Sequence, residues 1–450
     1  MKTKLTLKET LAVASMLFGL FFGAGNLIFP VHMGQLAGSK ALIAAAGFIA
    51  TGVGLPLLGV AAMGSSRSEG LFDMASRVGK GWSLFFTCAL YLTIGPFFAI
   101  PRCATTSFTV GIEPMLAASG SSLWLPAFSV FFFALVLIFS LKPGKILMWV
   151  GKVINPVFLT FLGLLLLLAF VRPMGMMGNV VPDPSIADNT FFNGFLEGYN
   201  TMDALASIAF GIIIIRVVRE LGVSEPAAIA KCTLKAGVFC CILMGTIYAL
   251  ITLMGAQSRG VLDISDNGGI ALAQIAAHYF GKTGQLLLAI MVFLACLKTA
   301  IGLVTSCAET FEQLFPKITY KKWAVIFTIL PLVISNVGLT VLISYAVPVL
   351  MFLYPLAITL ILMCLFGGVI QYDKRVFISV TAFTSVAAFF DLLRTLPDDV
   401  QTGIHADIIV HAVSKFLPLY DLGIGWGVPA LIGLFIGMIV RFHSEQLCKK

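Results

Sequence analysis

Long apolar runs separated by short polar joints recur from one end of the chain to the other. Long apolar runs with little charge predict membrane-spanning helices. About twelve are read, near 10–37, 42–64, 82–110, 122–141, 146–171, 193–215, 232–256, 284–308, 323–336, 340–367, 374–393 and 422–441. Their apolar residues are continuous and do not alternate, which excludes a transmembrane β-barrel. The boundary around SNVGLT, between the ninth and tenth spans, is the least sharply drawn. The inner joint RSEGLFDMASRVGKG predicts an amphipathic helix on the membrane surface, and the apolar stretch within 257–283 predicts a cap on the outer face. The N-terminal run through Phe22 has the polarity of a signal peptide, but it lacks a small-residue cleavage site and continues too far.

The first span breaks the pattern. LFGLFFGAGNLIFP places Gly23, Gly25 and Pro30 within eight residues of an apolar helix. About 28 residues make roughly 42 Å of helix, more than the ~30 Å hydrocarbon core, so this span tilts strongly or is discontinuous. Gly23 and Gly25 ease non-helical dihedrals, and Pro30 starts a helical segment readily but does not continue one. Unwound backbone at this depth persists only where protein or a polar cavity satisfies it. Its free N–H groups suit an anion and its free carbonyls a cation, a pair of ends matched to a zwitterion. The bland reading, that Gly19 and Gly23 merely let helices approach, leaves Asn26 and Pro30 unexplained. The sixth span, GYNTMDALASIAFGIIII, also carries polar residues in its middle. Interrupted helices at corresponding positions of two halves point to a transporter binding site.

Composition fits this picture: 59% of the 450 residues are hydrophobic, 11% are charged, and mean hydropathy is +1.01. The net charge of +8 is topological rather than a sign of nucleic acid. With the N-terminus in the cytoplasm, 21 of the 29 Lys and Arg lie at inner joints, inner span ends and termini, six lie outside, and Arg102 and Lys298 fall deeper within spans. This is the positive-inside bias, and it puts both termini in the cytoplasm. The cysteines sit mostly in apolar runs, as Cys88, Cys240, Cys241, Cys296 and Cys364 do, and read as buried side chains.

FFGAGNLIFP at 21–30, GPFFAIPR at 95–102, GYNTMDALASIAFG at 198–211, LACLKTAIGLVTSCAETF at 294–311 and SNVGLTVLISYAVPVLMFLYP at 335–355 resemble segments of the branched-chain amino acid cation symporters, the BrnQ or LIVCS type, across essentially the whole chain. The resemblance implies an all-α membrane protein of the LeuT-like, five-plus-five inverted-repeat class. Its repeats would be 1–172 and 173–367, with broken first and sixth helices, followed by two further helices in 368–450. It implies uptake of leucine, isoleucine and valine across the bacterial cytoplasmic membrane, driven by Na+ or H+, with no cofactor. By the same resemblance, Ala24, Gly25 and Asn26 would offer backbone N–H groups to the substrate carboxylate. Carbonyls near Phe22 and Gly23, with those around Ala206 and Ser207, would receive its ammonium, and Phe210 would close over it. Asp203 and Thr201 stand open between a substrate role and capping of the inner half-helix. A sodium ion in this fold would lie between carbonyls of Gly19 and Phe22 and, from the eighth helix, the Ala295 carbonyl and positions 298 and 299.

Here the chain departs from the family. Thr299 keeps its hydroxyl, but position 298 is a lysine. An ammonium has three donors and no acceptor, so it cannot ligate sodium. Two readings stand for Lys298: a tethered cation in the ion's place, fixed or proton-cycling, or a lysine that snorkels or pairs with Asp203 or Glu309. Thr109 occupies a position where the family tends to carry glutamate. Arg102 reads as a gate or a scaffold, paired with a carboxylate or with helix-end carbonyls. A membrane enzyme is disfavoured because the five histidines, at span ends or in loops, lack metal-ligand spacing. A channel is disfavoured by the lack of a charged ring or carbonyl filter, and an ATP-driven pump by the lack of a Walker motif.

Overall fold

The computed structural model describes residues 2–23, 25–116, 121–141 and 155–447. Ala24 and the start of the expected fifth span lie outside the described residues. Within them the architecture is helical, with one isolated bridge joining Lys2 to Val223. Nine described helices are long and apolar enough to cross a membrane. The remaining expected spans are shorter because they are interrupted, or because part of them is not described.

The first span is two helices, Leu7–Phe21 and Gly25–Ala37. The second half begins at Gly25 rather than at Pro30, which lies one and a half turns inside it. Proline has no N–H to give the Asn26 carbonyl four residues back, so that end of the helix stays loosely bonded. The second span bends through a π-helical turn at Ala50–Gly54. The third is interrupted too: Lys80–Leu92 and Ala99–Gly111 meet at a kink where Gly95 has φ −93° and ψ −119°, next to Pro96. The sixth is Thr190–Glu197, a short turn Gly198–Thr201, and Asp203–Glu220. The apolar stretch in 257–283 is the first part of Gly268–Leu314, which turns into the eighth span at Gly281 with φ 60°. Gly338, at φ 89°, separates Tyr320–Ile334 from Leu339–Leu365 and fixes the ninth–tenth boundary.

The inner joint differs from expectation. Its helix is only Leu71–Ser76, and Leu71, Met74 and Ala75 are buried in the protein core, against the third and tenth spans, rather than facing lipid. Six residues are too few to hold an amphipathic face on a bilayer, whereas packing on existing helices holds them.

Lipid is as apolar as leucine, so these helices associate by close packing rather than by burial from water. The second half of the first span lies directly on the seventh, Pro226–Ser258. A Cβ on Gly34 would stand 1.9 Å from the Thr252 carbonyl, and one on Gly255 would stand 2.1 Å from the Val31 carbonyl. Gly47 and Gly194 make the same reciprocal approach between the second and sixth spans, at 2.0 and 2.2 Å from the Phe191 and Ala44 carbonyls. The eleventh and twelfth spans, Lys374–Arg394 and Gly427–Leu447, pack chiefly on each other and on the tenth.

Candidate functional site

The first break is held open by one side chain. Phe22 ends the N-terminal half, its N–H bonded to the Phe18 carbonyl at 2.8 Å and its backbone extended at ψ 95°. The next N–H, that of Gly23, turns away from the Gly19 carbonyl and donates to Asn26 Oδ1 at 2.7 Å. The last carbonyls of this half therefore lack helical partners, and the first N–H groups of the Gly25–Ala37 half lack them by position. Because Oδ1 faces a donor, the Asn26 amide points its Nδ2 the other way. There it donates to Asp203 Oδ2 at 2.5 Å and to the hydroxyl of Tyr248. Tyr248 in turn donates to the same Oδ2 at 3.0 Å.

The sixth span breaks at Thr201–Met202, where Met202 is left-handed at φ 63°. Asp203 is the first residue of the second half, so its carboxylate sits at the positive end of that helix. Thr201 accepts from the Asp203 N–H at 3.3 Å and donates to the Gly198 carbonyl at 2.9 Å. Ala206 and Ser207 come three and four residues after Asp203. Both lie in the regular helix after the break, where main-chain carbonyls are committed to i+4 partners. Ser207 is fully buried, and its Oγ donates to the Ala204 carbonyl at 2.7 Å where the helix meets Gly59. At the break itself the Gly198, Tyr199 and Asn200 carbonyls accept from the Thr201 hydroxyl, the Met202 N–H and Arg102 Nη1.

Both breaks face one hollow. Gly23, Gly25, Asn26, Asp203, Ala206, Phe210, Arg102 and Thr299 line it, with apolar walls from Phe21, Ile94 and Leu303. Its free volume, about 30 Å³, takes a water or two. A leucine side chain needs more, so entry requires the breaks or Phe210 to move. Phe22 lies outside this lining, packed on Phe18, Phe158 and Tyr248.

Arg102 is buried and reaches the far break: its Nη1 donates to the Asn200 carbonyl at 2.6 Å. Its guanidinium lies over the Phe29 ring at 5.0 Å, and a Cβ on Gly25 would stand 3.0 Å from its Nη2. Of the two partners read from sequence, helix-end carbonyl is the one found. Thr299 packs on the first break, with a Gly23 Cβ position 3.2 Å from its Oγ1, and bonds the Ala295 carbonyl at 3.0 Å. Lys298 is buried beside it. Of the acids named for it, Asp203 bonds Asn26 and Tyr248, and Glu309 lies 3.9 Å from Arg216. Thr109 is buried against Gly269, at the start of the outer helix.

Sequence reasoning missed Tyr248, Glu197 and Tyr199. Tyr248 ties the seventh span to both breaks, and a tyrosine inside an otherwise apolar run was its available signal, since a buried hydroxyl needs a partner. Glu197 accepts from Asn200 Nδ2 at 3.0 Å, which steadies the turn Arg102 grips. Tyr199 stacks on Tyr354, ring centroids 4.0 Å apart.

The family described as "Branched-chain amino acid transport protein" matches residues 6–444. The chain is 49% identical over 434 residues to a branched-chain amino acid permease BrnQ of Lactobacillus delbrueckii subsp. lactis, covering 96% of both chains. It is 40% identical to the BrnQ of Bacillus subtilis (strain 168), covering 99% of this chain and 100% of that one. It is 38% identical to the branched-chain amino acid transport system 2 carrier protein of Pseudomonas aeruginosa, covering 96% and 95%. Among solved structures, the inward-facing conformation of Mhp1 matches with TM-score 0.60 at 16% identity, covering 97% of this chain and 91% of that one. MhsT in complex with L-phenylalanine matches with TM-score 0.52 at 15% identity, covering 96% and 98%. These two likenesses establish the fold, the LeuT-like class expected from the sequence. By family match and by relatives that span it end to end, this multi-pass membrane protein belongs to the branched-chain amino acid transport protein family.

Proposed function

We propose that the chain imports leucine, isoleucine and valine across the bacterial cytoplasmic membrane by alternating access, with both termini in the cytoplasm. The carrying observation is the pair of interrupted helices facing one hollow and joined by Asn26 and Asp203. The substrate carboxylate meets the N–H groups of Gly25 and Asn26, with the Arg102 guanidinium beside them. Its ammonium meets the open carbonyls of the first half-helix and the remaining Asp203 oxygen, Oδ1. Fixed dipoles and two opposite charges in a low dielectric bind a zwitterion without a net ion. The branched side chain takes the apolar wall, and Phe210 closes on it. Residues 1–172 and 173–367 act as the two repeats that rock about this point.

Sodium fits the second site poorly. Gly19, Phe22 and Ala295 offer carbonyls and Thr299 a hydroxyl, but the neighbouring ammonium of Lys298 repels a cation and supplies no lone pair. We read Lys298 as a tethered cation that takes the ion's place, which makes transport sodium-independent and leaves the proton as the coupling ion.

The test is uptake of labelled leucine by purified protein in liposomes, with sodium replaced by choline and a pH gradient then imposed. Saturable uptake that is inhibited by isoleucine and valine, insensitive to choline and raised by outside acid is expected. No leucine uptake would end the transport reading, and strict sodium dependence would end the tethered-cation reading.

A further inference from the structure

The reading above calls for a group that exchanges a proton. The eleventh span carries a carboxyl that the site does not use. Asp391 is 1% exposed, one turn before the end of Lys374–Arg394. Among the described residues neither of its oxygens has a hydrogen-bond partner. Arg394, one turn on, is the cation within electrostatic reach; its Nη1 donates to the carbonyls of Tyr420 at 2.9 Å and Asp421 at 3.3 Å, and its Nε has no hydrogen-bond partner. No ion pair between Asp391 and Arg394 forms within 4.0 Å.

The polar groups near Asp391 leave its carboxyl without a hydrogen bond. Tyr199, itself 1% exposed, lies within electrostatic reach of Asp391. The indole N–H of Trp426 faces its hydroxyl, and neither group bonds Asp391. Tyr420, also within reach of Asp391, spends its hydroxyl on the Phe390 carbonyl at 2.8 Å. The charged and titratable groups around Asp391 are thus Arg394 on its own helix, Tyr199 from the sixth span, and Tyr420 with Asp421 from the joint before the twelfth.

A buried carboxyl in a low-dielectric bundle keeps its charge only if a donor or cation reaches it, and otherwise takes up a proton. Unpaired donors and acceptors gathered in one buried place also suit a bridging water, which needs two to four polar partners. Tyr199 then carries the connection inward. It belongs to the Gly198–Thr201 turn, next to Asn200, whose carbonyl holds Arg102 in the hollow. A charge change at Asp391 thereby bears on the turn that must move when substrate enters.

We propose that Asp391 is a proton-binding site, linked through Tyr199 to the break in the sixth span, and that its protonation gives transport its pH dependence. This rests on the proton-coupled reading. It uses acid–base chemistry alone: the proton adds to a carboxylate oxygen and leaves from it, with no other bond changed.

The test compares wild type with Asp391→Asn and Asp391→Glu in liposomes. For one coupled proton, one pH unit of gradient supports about tenfold leucine accumulation. Accumulation is expected to fall to about onefold in D391N and to return in D391E, while leucine exchange at equal pH stays within about twofold. Infrared difference spectra across a pH titration should show a carboxyl band in wild type that D391N lacks. This readout stands even if leucine proves not to be the substrate. Tyr199→Phe, which keeps the stack on Tyr354, should shift the pH profile of accumulation, and it serves if D391N does not fold. A carboxyl band unchanged in D391N, or a pH profile the same in all variants, overturns the proposal.

Discussion

Asn26 donates to Asp203 at 2.5 Å across 177 residues of sequence, and this bond ties the break in the first span to the break in the sixth. The same amide accepts from the Gly23 N–H at 2.7 Å, so one side chain both opens the first helix and docks it on the other. Replacing Asn26 by Ala leaves a buried N–H and a buried carboxylate short of partners, each worth about 1–3 kcal/mol. Leucine binding by the purified protein should weaken by about 10- to 100-fold. Asn26→Asp should be worse, because two carboxylates then meet. The double variant Asn26→Asp with Asp203→Asn restores a donor opposite an acceptor and should recover part of the loss. A double variant no better than N26D would show that the link itself is not what matters.

Lys298 and Thr299 make opposite predictions for sodium. If Lys298 supplies the positive charge beside the first break, Thr299→Ala should leave leucine uptake in choline within about threefold of wild type, since the loss is one neutral hydrogen bond. Lys298→Ala should remove the cation and expose the carbonyls of Gly19 and Phe22. Uptake in choline should then fall by at least about tenfold and recover with added sodium. Titrating sodium against uptake in both variants checks this. Sodium dependence in wild type, lost in T299A, would reverse the assignment.

Much of this architecture was legible because membrane helices write themselves in length and apolarity. The twelve expected runs, the glycines at the first break and the polar patch in the sixth all follow from the cost of unpaired backbone in lipid. The precise position of the sixth break was not legible. Ala206 and Ser207 look as suitable as Thr201 and Met202 until Met202 is seen at φ 63°. The third-span kink at Gly95 was written in GPFF, but a glycine–proline pair reads equally as a joint. The partners of Tyr248 and Tyr199 were hidden for a different reason. Their role depends on which helix faces which, and that is fixed by contacts distant in sequence. The inner joint Leu71–Ser76 failed likewise, since an amphipathic pattern does not say whether its apolar face meets lipid or protein.

The reciprocal glycine contacts predict a sharp contrast. Gly34→Ala and Gly255→Ala each drive a methyl into a carbonyl of the facing helix, at 1.9 and 2.1 Å, and backbone cannot yield as a side-chain end can. Each should cost about 2–4 kcal/mol and lower the thermal midpoint in detergent by several degrees. Gly163→Ala, in the lipid-facing fifth span with nothing within 4 Å, should be neutral or stabilise by up to about 1 kcal/mol through helix propensity. Equal behaviour of G34A and G163A would mean that the first and seventh spans do not approach this closely.

The N-terminus is pinned by an acid whose titration lies well away from neutral pH. Glu9 accepts from Lys2 Nζ at 2.6 Å and from the Thr6 N–H at 2.8 Å, completing a capping box at the start of the first span. The backbone of Lys2 bridges to Val223, in the joint between the sixth and seventh spans. The Lys2 ammonium, followed by the Thr6 bonds, lowers the Glu9 carboxyl to about 2. A depressed acid contributes fully above its ordinary value, near 4.3, and loses that contribution as pH falls toward the folded value. The tether should therefore stay constant from pH 8 to about 5 and slacken only toward pH 2. A spin label at Lys4→Cys, with the native cysteines replaced, should report constant mobility over the upper range and rising mobility below it. In Glu9→Gln the label should be mobile throughout, because glutamine can keep the Thr6 bond but not the pair with Lys2. Leucine uptake in E9Q should keep the wild-type pH profile between 5 and 8, which assigns any dependence in that window to groups other than Glu9. A label that loosens around neutral pH, or an E9Q profile that goes flat, would put the titrating group at the N-terminus instead of at Asp391.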